Sequence, residues 1–585
     1  NKSGLGALQE VLSGGLPAGW KTKLACIVGG IVGQAAVTDL QLLIETEIWR
    51  SLFQRDKALF FRTAVYGVGG ALAMSLIHGF SQNVQDTLEV DVKESLTKKF
   101  MALYMGKAGF YNLKNFDGRI MDPETRMSDD LNEFVEMLSG LLSEVIKPSF
   151  TILWLGYRLG VSVGFSSASL LYGYLFGAGI LARMTMPDFK SMMATKNATM
   201  GKYKYTQSTV RTHSESIAFF GGGAREKAIA WKRFEATMKV DEEKAFADLW
   251  FGWIKNLFVR NMPDRVQQHL RFQFAVNNFQ DDDSIIRDGG AALTMGQHVI
   301  WGIQTAVKRS VQELVDVSDK FNNLSGVIFR LAELQNTLHD LHVPPYIEAG
   351  TFGAERKTKT ANPKISISEM DIVTPTGICL ASNLSVEISP KNRLLVTGPN
   401  ASGKTSFFRV LGGIWPTYPE KNAHALRTNG DVFLVPQKVY SVTGTLLDQV
   451  TYPSKIETKD VTPNVLADAQ KLLELVGIGY LVDRDGGWHL VRKFEDVLSL
   501  GEQQRLGMAR LFYHNPSFAV LDGCTDAVSV DVEERLYTTA MDMGITCITI
   551  SKRLALVDFH EQEICLGVEN SDGFESKLLS KTKSR

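Results

Sequence analysis

The chain has little of what would mark a polyelectrolyte or a disulfide scaffold. Its 63 lysines and arginines nearly cancel 64 acids, for a formal net charge of −1. That balance gives no electrostatic case for a nucleic-acid or strongly acidic partner. Cysteine is scarce and scattered, at Cys26, Cys379, Cys524, Cys547 and Cys565, an odd number with no C-x-x-C pair. The pattern suits a reducing compartment, with thiols used as small buried residues. Four of them lie from Cys379 onward, so that part is expected to face a cytosol-like or matrix-like space. Internal repeats and long low-complexity tracts are also missing. The first residue is Asn1 rather than Met, which leaves room for a removed targeting segment.

At 585 residues the chain exceeds one domain. Residues 1–340 read as long helices, whereas residues 365–585 alternate short apolar runs, glycine-rich turns and helical patterns. The expected fold is multidomain, an α-helical transmembrane domain followed by an α/β domain. Residues 341–364 form the expected linker, with His342-Val343-Pro344-Pro345 and the polar run Glu355-Arg356-Lys357-Thr358-Lys359.

Four apolar segments are candidate membrane spans. The best, 161–182, is uncharged and long enough to cross a bilayer. Segment 24–44 includes Gln34, Asp39 and Gln41; 59–80 includes Arg62 and His78; 138–157 includes Glu144 and Lys147. An ionisable group at mid-bilayer costs about 2.5–3.5 kcal/mol, so these side chains are expected to face other helices or a cavity. A count of six spans is not supported by hydropathy alone; beyond these four, one or two further segments are weak candidates. Segment 257–283 carries Arg260, Asp264, Arg265, His269, Arg271 and Asp281-Asp282-Asp283, and 291–307 is only mildly apolar.

The most informative phrase is Gly398-Pro399-Asn400-Ala401-Ser402-Gly403-Lys404-Thr405, which fits the phosphate-loop pattern G-x-x-x-x-G-K-[ST]. The apolar run Leu394-Leu395-Val396 precedes it as a strand, and Ser406-Phe407-Phe408-Arg409-Val410-Leu411 follows as a helix. Glycines let backbone amides approach a phosphate, and the helix N-terminus adds positive partial charge. Residues 398–406 are thus the expected nucleotide-binding set, with Lys404 reaching the outer phosphates and Thr405 holding Mg²⁺.

Further motifs follow in fixed order: Phe433-Leu434-Val435-Pro436-Gln437, Leu498-Ser499-Leu500-Gly501-Glu502-Gln503-Gln504-Arg505, Phe518-Ala519-Val520-Leu521-Asp522 and Thr549-Ile550-Ser551-Lys552-Arg553. Together with the phosphate loop they resemble an ATP-binding cassette. The resemblance narrows to subfamily D of the ABC half-transporters, which serve fatty-acyl compounds in peroxisomes and related organelles. It rests on Phe116-Asp117-Gly118-Arg119 and Asp122-Pro123-Glu124-Thr125-Arg126, and on Ser214-Glu215-Ser216-Ile217-Ala218-Phe219-Phe220-Gly221-Gly222. In the cassette it rests on Phe408-Arg409-Val410-Leu411-Gly412-Gly413-Ile414-Trp415-Pro416 and Gly507-Met508-Ala509-Arg510-Leu511-Phe512-Tyr513-His514.

The resemblance implies an exporter-type domain of six membrane helices per half, and cassettes paired head to tail. Each ATP then lies between one phosphate loop and the partner's signature, here Ser499, Gly501 and Glu502. Thr405, Gln437 and Asp522 are the implied Mg²⁺ set, and Gln437 also approaches the attacking water. Several positions depart from the family. The glutamate after Walker B, which orients the attacking water, is Gly523. The switch histidine is Lys552, which can donate to phosphate as a point charge. The first signature glycine is Leu500, which is expected to crowd the nucleotide. Ala401 replaces a common loop glycine. No aromatic stands near Ile372-Val373-Thr374-Pro375 to stack on adenine. Asp526 is a carboxylate three positions past Gly523, and is expected to point elsewhere. No catalytic residue is therefore assigned, and ATP with Mg²⁺ is expected to bind without efficient hydrolysis.

Two readings remain at this stage. One is the degenerate half of a dimer, a heterodimer more than a homodimer, moving acyl-CoA or a related hydrophobic acid. In it, Arg260 to Arg271 line a polar cavity, and the membrane is peroxisomal by resemblance. The other is an accessory subunit of a larger membrane complex, for which the mitochondrial inner membrane fits. Membrane lipid is a partner in both; nucleic acid is in neither.

Overall fold

Asp56 opens one of the longest helices of the protein by accepting hydrogen bonds from the backbone amides of Ala58 and Leu59. Such a cap satisfies amides that the first turn leaves unpaired. In the computed structural model the described residues are 4–120, 122–266, 268–269, 272, 291–340, 362–374, 377–415, 426–484, 486–570 and 573–580. They fall into two compact units, Asn1–Leu341 and His342–Arg585. Most of the expected linker, together with Arg271, Asp281-Asp282-Asp283 and Pro375, lies outside the described residues.

The first unit is helical. Its main elements are α1 (Gly4–Leu12), α2 (Trp20–Gln54), α3 (Lys57–Met105), α4 (Leu131–Val163), α5 (Phe165–Thr185), α6 (Phe189–Thr212), α7 (Gly223–Lys255) and α8 (Ala291–Asp340). One apolar core joins α1, α2, α3, α4 and α8 through Val11, Ile27, Leu96, Phe100, Phe134 and Leu331. Lys99 ties α3 to this core: its Nζ donates to the carbonyls of Val11 at 2.8 Å and Ser13 at 2.9 Å, and to Gln335 on α8 at 3.0 Å. The lysine therefore closes the carbonyl end of α1.

Among the described residues three helices are long and apolar enough to cross a membrane: Trp20–Leu52, Lys57–Met105 and Pro123–Val161. The run expected at 161–182 becomes α5, but its helix begins at Phe165. Gly164, with φ of 93°, breaks the chain between α4 and α5. Two in-span ionisable groups pair between helices as expected. Asp39 on α2 meets Arg158 on α4 at 3.1 Å, and Glu144 on α4 meets Lys320 on α8. Arg62, His78 and Lys147 depart from that expectation, because all three are exposed. Their neighbours Phe61, Val65, Leu72, Leu76 and Phe80 on α3 are exposed too, since α3 buries only a narrow stripe.

The second unit is α/β. A three-stranded antiparallel sheet has order β2-β1-β4, from β1 (Ile365–Val373), β2 (Cys379–Ile388) and β4 (Leu426–Thr428). The main sheet contains β3 (Leu394–Thr397), β5 (Val432–Val435), β6 (Phe518–Asp522), β7 (Thr546–Ile550), β8 (Gln562–Asn570) and β9 (Gly573–Ser580). Its order is β9-β8-β3-β7-β6-β5, parallel except for the β8–β9 pair. Helices α9 (Lys404–Leu411), α10 (Leu446–Thr451), α11 (Pro463–Leu475), α12 (Leu500–His514) and α13 (Val530–Asp542) are the longer ones here. Strands β3 and β6 bury almost only apolar side chains, as expected of parallel strands covered on both faces, and β7 adds the buried Thr546 and Thr549. Phe407, Phe494, Phe518 and Tyr537 are fully buried, each worth about 1.5–3 kcal/mol of burial.

The cysteine expectation holds in part. All five are free thiols. Cys524 and Cys547 are buried, and burial pushes the Cys547 thiol up to about 12. Cys26 and Cys379 are exposed instead.

Candidate nucleotide-binding site

Four adjacent parallel strands, β3, β7, β6 and β5, end on one edge of the main sheet. The residues that follow them are Gly398, Ser551-Lys552, Gly523 and Pro436-Gln437. Topology alone therefore brings together the phosphate loop, the switch position, the Walker B end and the strand-end glutamine. Ligands of such sheets bind beyond the carboxyl ends of the strands.

The phosphate loop has the geometry its sequence requires. Gly398 has φ of 139°, and a Cβ there would lie 2.4 Å from the Leu566 carbonyl oxygen. Gly403, at φ of 93°, turns the chain into α9. Ala401 also holds a left-handed backbone, φ 63°, which costs a non-glycine residue about 1–2 kcal/mol. The loop keeps its shape although the usual glycine is gone. Lys404 Nζ curls over the loop, donating to the carbonyls of Gly398 at 2.8 Å and Pro399 at 2.5 Å. Lys552 Nζ donates to the Asn400 side chain, on the same loop. Burial, then the Lys552 charge, pulls the Lys404 ammonium below its ordinary range. Two cations thus share one cradle, which an anionic ligand would relieve. Thr405 is exposed at the start of α9, and Ser406 is buried.

Asp522 ends β6. Burial, then the Asp526 charge, pushes its carboxyl above the usual range, and Lys404 opposes this. Gln437 is exposed and donates from Nε2 to Asp526 Oδ2 at 3.3 Å. Asp526 was expected to point away from the site; it points back into it. The turn from Gly523 to Asp526 closes through a 3.2 Å backbone hydrogen bond, and Gly523 has φ of 51°. That reversal carries the Asp526 carboxylate to within 2.6 Å of where a Cβ at 523 would stand.

Thr405, Gln437 and Asp522 offer a hydroxyl, an amide and a carboxylate on this one edge. Such a hard oxygen set fits a Mg²⁺ that also takes phosphate oxygens and water. Among the described residues no group of three or more histidine, cysteine or acidic side chains could hold a metal alone. His560, the histidine nearest in sequence after Lys552, is buried and contacts Thr549 Oγ1 at 2.9 Å and the Leu556 carbonyl at 2.7 Å. It does not stand in for the switch histidine.

The signature lies at the N-terminus of α12. Ser499 caps that helix in a reciprocal box with Glu502, a pattern legible as S-x-x-E. Glu502 is turned into its own domain, where it accepts from Tyr480 Oη and Arg484 Nη1, both at 2.7 Å. These bonds and the Ser499 donors hold its carboxyl down at about 2 despite opposing burial. Glu502 and the Ser499 hydroxyl are therefore both engaged in capping this helix. Leu500 is 55% exposed on the outer face of the helix start. Among the described residues no hydrogen bond joins these three to the phosphate loop of their own cassette.

Two positioning residues had no role assigned from sequence. Gln504 accepts from the Ala527 amide at 2.7 Å and donates to the Gly523 carbonyl at 3.3 Å and the Gln437 carbonyl at 3.5 Å. Arg553 donates to the Asp526 carbonyl at 2.5 Å and to Glu533 at 2.9 Å. Both side chains fix the segment that carries Asp526.

Comparisons with known proteins agree with this geometry. The profile of the ABC transporter transmembrane region 2 matches residues 22–265, and that of the ABC transporter matches residues 381–526. The human ATP-binding cassette sub-family D member 3 is 30% identical over 92% of this chain and 82% of its own length. The chain belongs to subfamily D of the ATP-binding cassette transporters. ABC transporter D family member 1 of Arabidopsis thaliana is 35% identical over 96% of this chain, which spans only 43% of that relative. A bacterial Atm1-family ABC exporter, solved with ATP bound, superposes with a TM-score of 0.71 at 15% identity, covering 93% of each chain. That likeness concerns the fold: an exporter-type helical domain followed by an α/β cassette. Nothing in these comparisons supports the accessory-subunit reading.

Proposed function

We propose that this chain is a half-transporter that holds Mg-ATP but turns it over slowly, working as the degenerate half of a dimer. The carrying observation is the contrast on one sheet edge. Lys404 and Lys552 converge on the phosphate loop, while the position after Asp522 has no side chain to orient water. Thr405, Gln437 and Asp522 would hold the Mg²⁺, which neutralises charge on the β- and γ-phosphates when bound. Lys404 and Lys552 bind the phosphates electrostatically. Ser499 and Gly501 would face the nucleotide of the opposing cassette, with Leu500 holding that contact loose. Loss of a water-orienting group commonly costs about two to three orders of magnitude in rate. A heterodimer is favoured, because a homodimer would carry every departure twice.

The cargo class we propose is a fatty-acyl compound or related hydrophobic acid, crossing a peroxisome-type organelle membrane. A pocket of about 460 Å³ supports it. Ile152, Leu175, Phe176 and Ile180 line it, with Arg183 as the charged group. An alkyl chain would fill the apolar wall, and an acid would meet the guanidinium. The polar cavity expected from Arg260 to Arg271 is not part of this lining; Arg260, Asp264 and Arg265 are exposed, and Asp264 pairs with Lys308.

The test is purification from the native membrane. Recovery with a second cassette protein that keeps the glutamate and histidine supports the proposal. Recovery only with an unrelated multi-subunit complex sinks it.

A further inference from the structure

Gly523 looks like simple loss when the sequence is considered alone. The structure offers a different account, because the space at 523 is taken. A Cβ there would lie 2.6 Å from Asp526 Oδ2 and 3.6 Å from Gln437 Cγ. Any side chain at 523 would also have to accept φ of 51°. The dependence runs one way: the carboxylate sits in place because the glycine leaves room, and a Cβ at 523 would displace it.

The segment bearing Asp526 is held from several sides. The Gly523 carbonyl accepts from the Asp526 amide at 3.2 Å. Gln504 bridges Ala527, Gly523 and the Gln437 backbone. Arg553 holds the Asp526 carbonyl, and Glu533 anchors both Arg553 and Thr525. The one hydrogen bond of the Gln437 side chain among the described residues is the donation from Nε2 to Asp526. A carboxylate accepts only, so it selects the amide nitrogen and fixes which way the amide faces. Gln437 Oε1 is then the atom left for a cation.

We propose that Asp526 is a relocated carboxylate of the nucleotide site, a positioning residue that orients Gln437 so that Oε1 is presented to the magnesium of bound ATP. The proposal rests on the Mg-ATP reading above and changes its meaning. The position after Walker B has been rebuilt around cation retention, at the expense of the water-orienting glutamate.

The experiment measures binding, not turnover. The full chain in detergent is titrated with the fluorescent analogue MANT-ATP, once with Mg²⁺ and once with EDTA. Wild type is expected to bind more tightly with Mg²⁺. Asp526→Ala is expected to lose about tenfold of that gain, the scale of one hydrogen bond to a charged group, with affinity in EDTA unchanged. Asp526→Asn can donate as well as accept, so it no longer selects the amide nitrogen and is expected to lose much of the gain. Gln437→Ala is expected to lose it, and Asp526→Ala added to Gln437→Ala is expected to cost nothing more. The inference is overturned if Asp526→Ala keeps the wild-type gain, if it weakens binding equally in EDTA, if Asp526→Asn keeps the full gain, or if the double variant is additive. Wild type that binds no MANT-ATP under either condition overturns the Mg-ATP reading as well.

Discussion

The phosphate loop and the turn after Asp522 sit on neighbouring parts of one sheet edge and have fared differently. The loop keeps every group that holds phosphate, and even Ala401 adopts the strained backbone that glycine would normally take. The turn has a glycine at 523, and the Asp526 carboxylate takes the room that a side chain there would need. Holding a nucleotide depends on backbone amides and fixed cations, which tolerate change nearby. Turning it over depends on one carboxylate at one place. The two tasks are separable within a single fold, and the proposal is that here they have come apart.

The comparison breaks most sharply at the loop. Lys404→Ala is expected to weaken MANT-ATP binding by about 100-fold, because a charge-assisted contact to phosphate is lost. Equal binding would mean that the loop no longer holds nucleotide. The turn can be sharpened by restoring the usual carboxylate. Gly523→Glu with Asp526→Ser is expected to raise single-turnover phosphate release at least about tenfold. Gly523→Glu alone is expected to stay within about threefold of wild type, since Asp526 occupies the space and the backbone is left-handed. Equal gains from the single and double variants would show that Asp526 does not block the position.

Two further predictions ask whether the frame beneath both regions is as rigid as drawn. Arg510 is buried and donates to the carbonyls of Tyr440 and Gln449, with burial pulling it down to about 10. Arg510→Ala leaves those carbonyls without a partner and is expected to cost about 2–4 kcal/mol, read as a fall in thermal midpoint. Glu502 supplies the smallest effect. Its carboxyl is depressed to about 2 when folded, against about 4.3 unfolded. Its contribution is therefore fully present above about pH 4.3 and is lost as pH falls towards 2. Between pH 5 and 3, wild type is expected to lose about 0.5–1.5 kcal/mol more stability than Glu502→Gln, discounted for solvent screening. Parallel pH profiles would remove Glu502 from the account.

Much of this was legible before the structure. Periodicity gave the helical and α/β units, the phosphate-loop pattern gave residues 398–405, and resemblance to the family supplied residues 437, 522 and 552. What escaped depended on backbone dihedrals that residue type does not state. Gly164 was written inside an apolar run, yet its φ of 93° ends one helix and starts the next. Asp526 was misread because side-chain direction across a tight turn follows from the φ of Gly523, not from spacing. Glu502 was assigned to the partner's nucleotide through resemblance, although the S-x-x-E capping pattern was available and describes what it does. Arg62 and His78 were misplaced because α3 covers itself on one stripe only, so polar and apolar groups alike remain outside.

The central claim is that this chain retains ATP and hardly consumes it. The direct measurement places purified full-length chain with Mg²⁺ and ATP, and follows bound nucleotide and released phosphate in the same sample. The account predicts bound ATP that disappears in Lys404→Ala, with phosphate release at background in both. Steady phosphate release by the wild-type chain, abolished by Lys404→Ala, would contradict it.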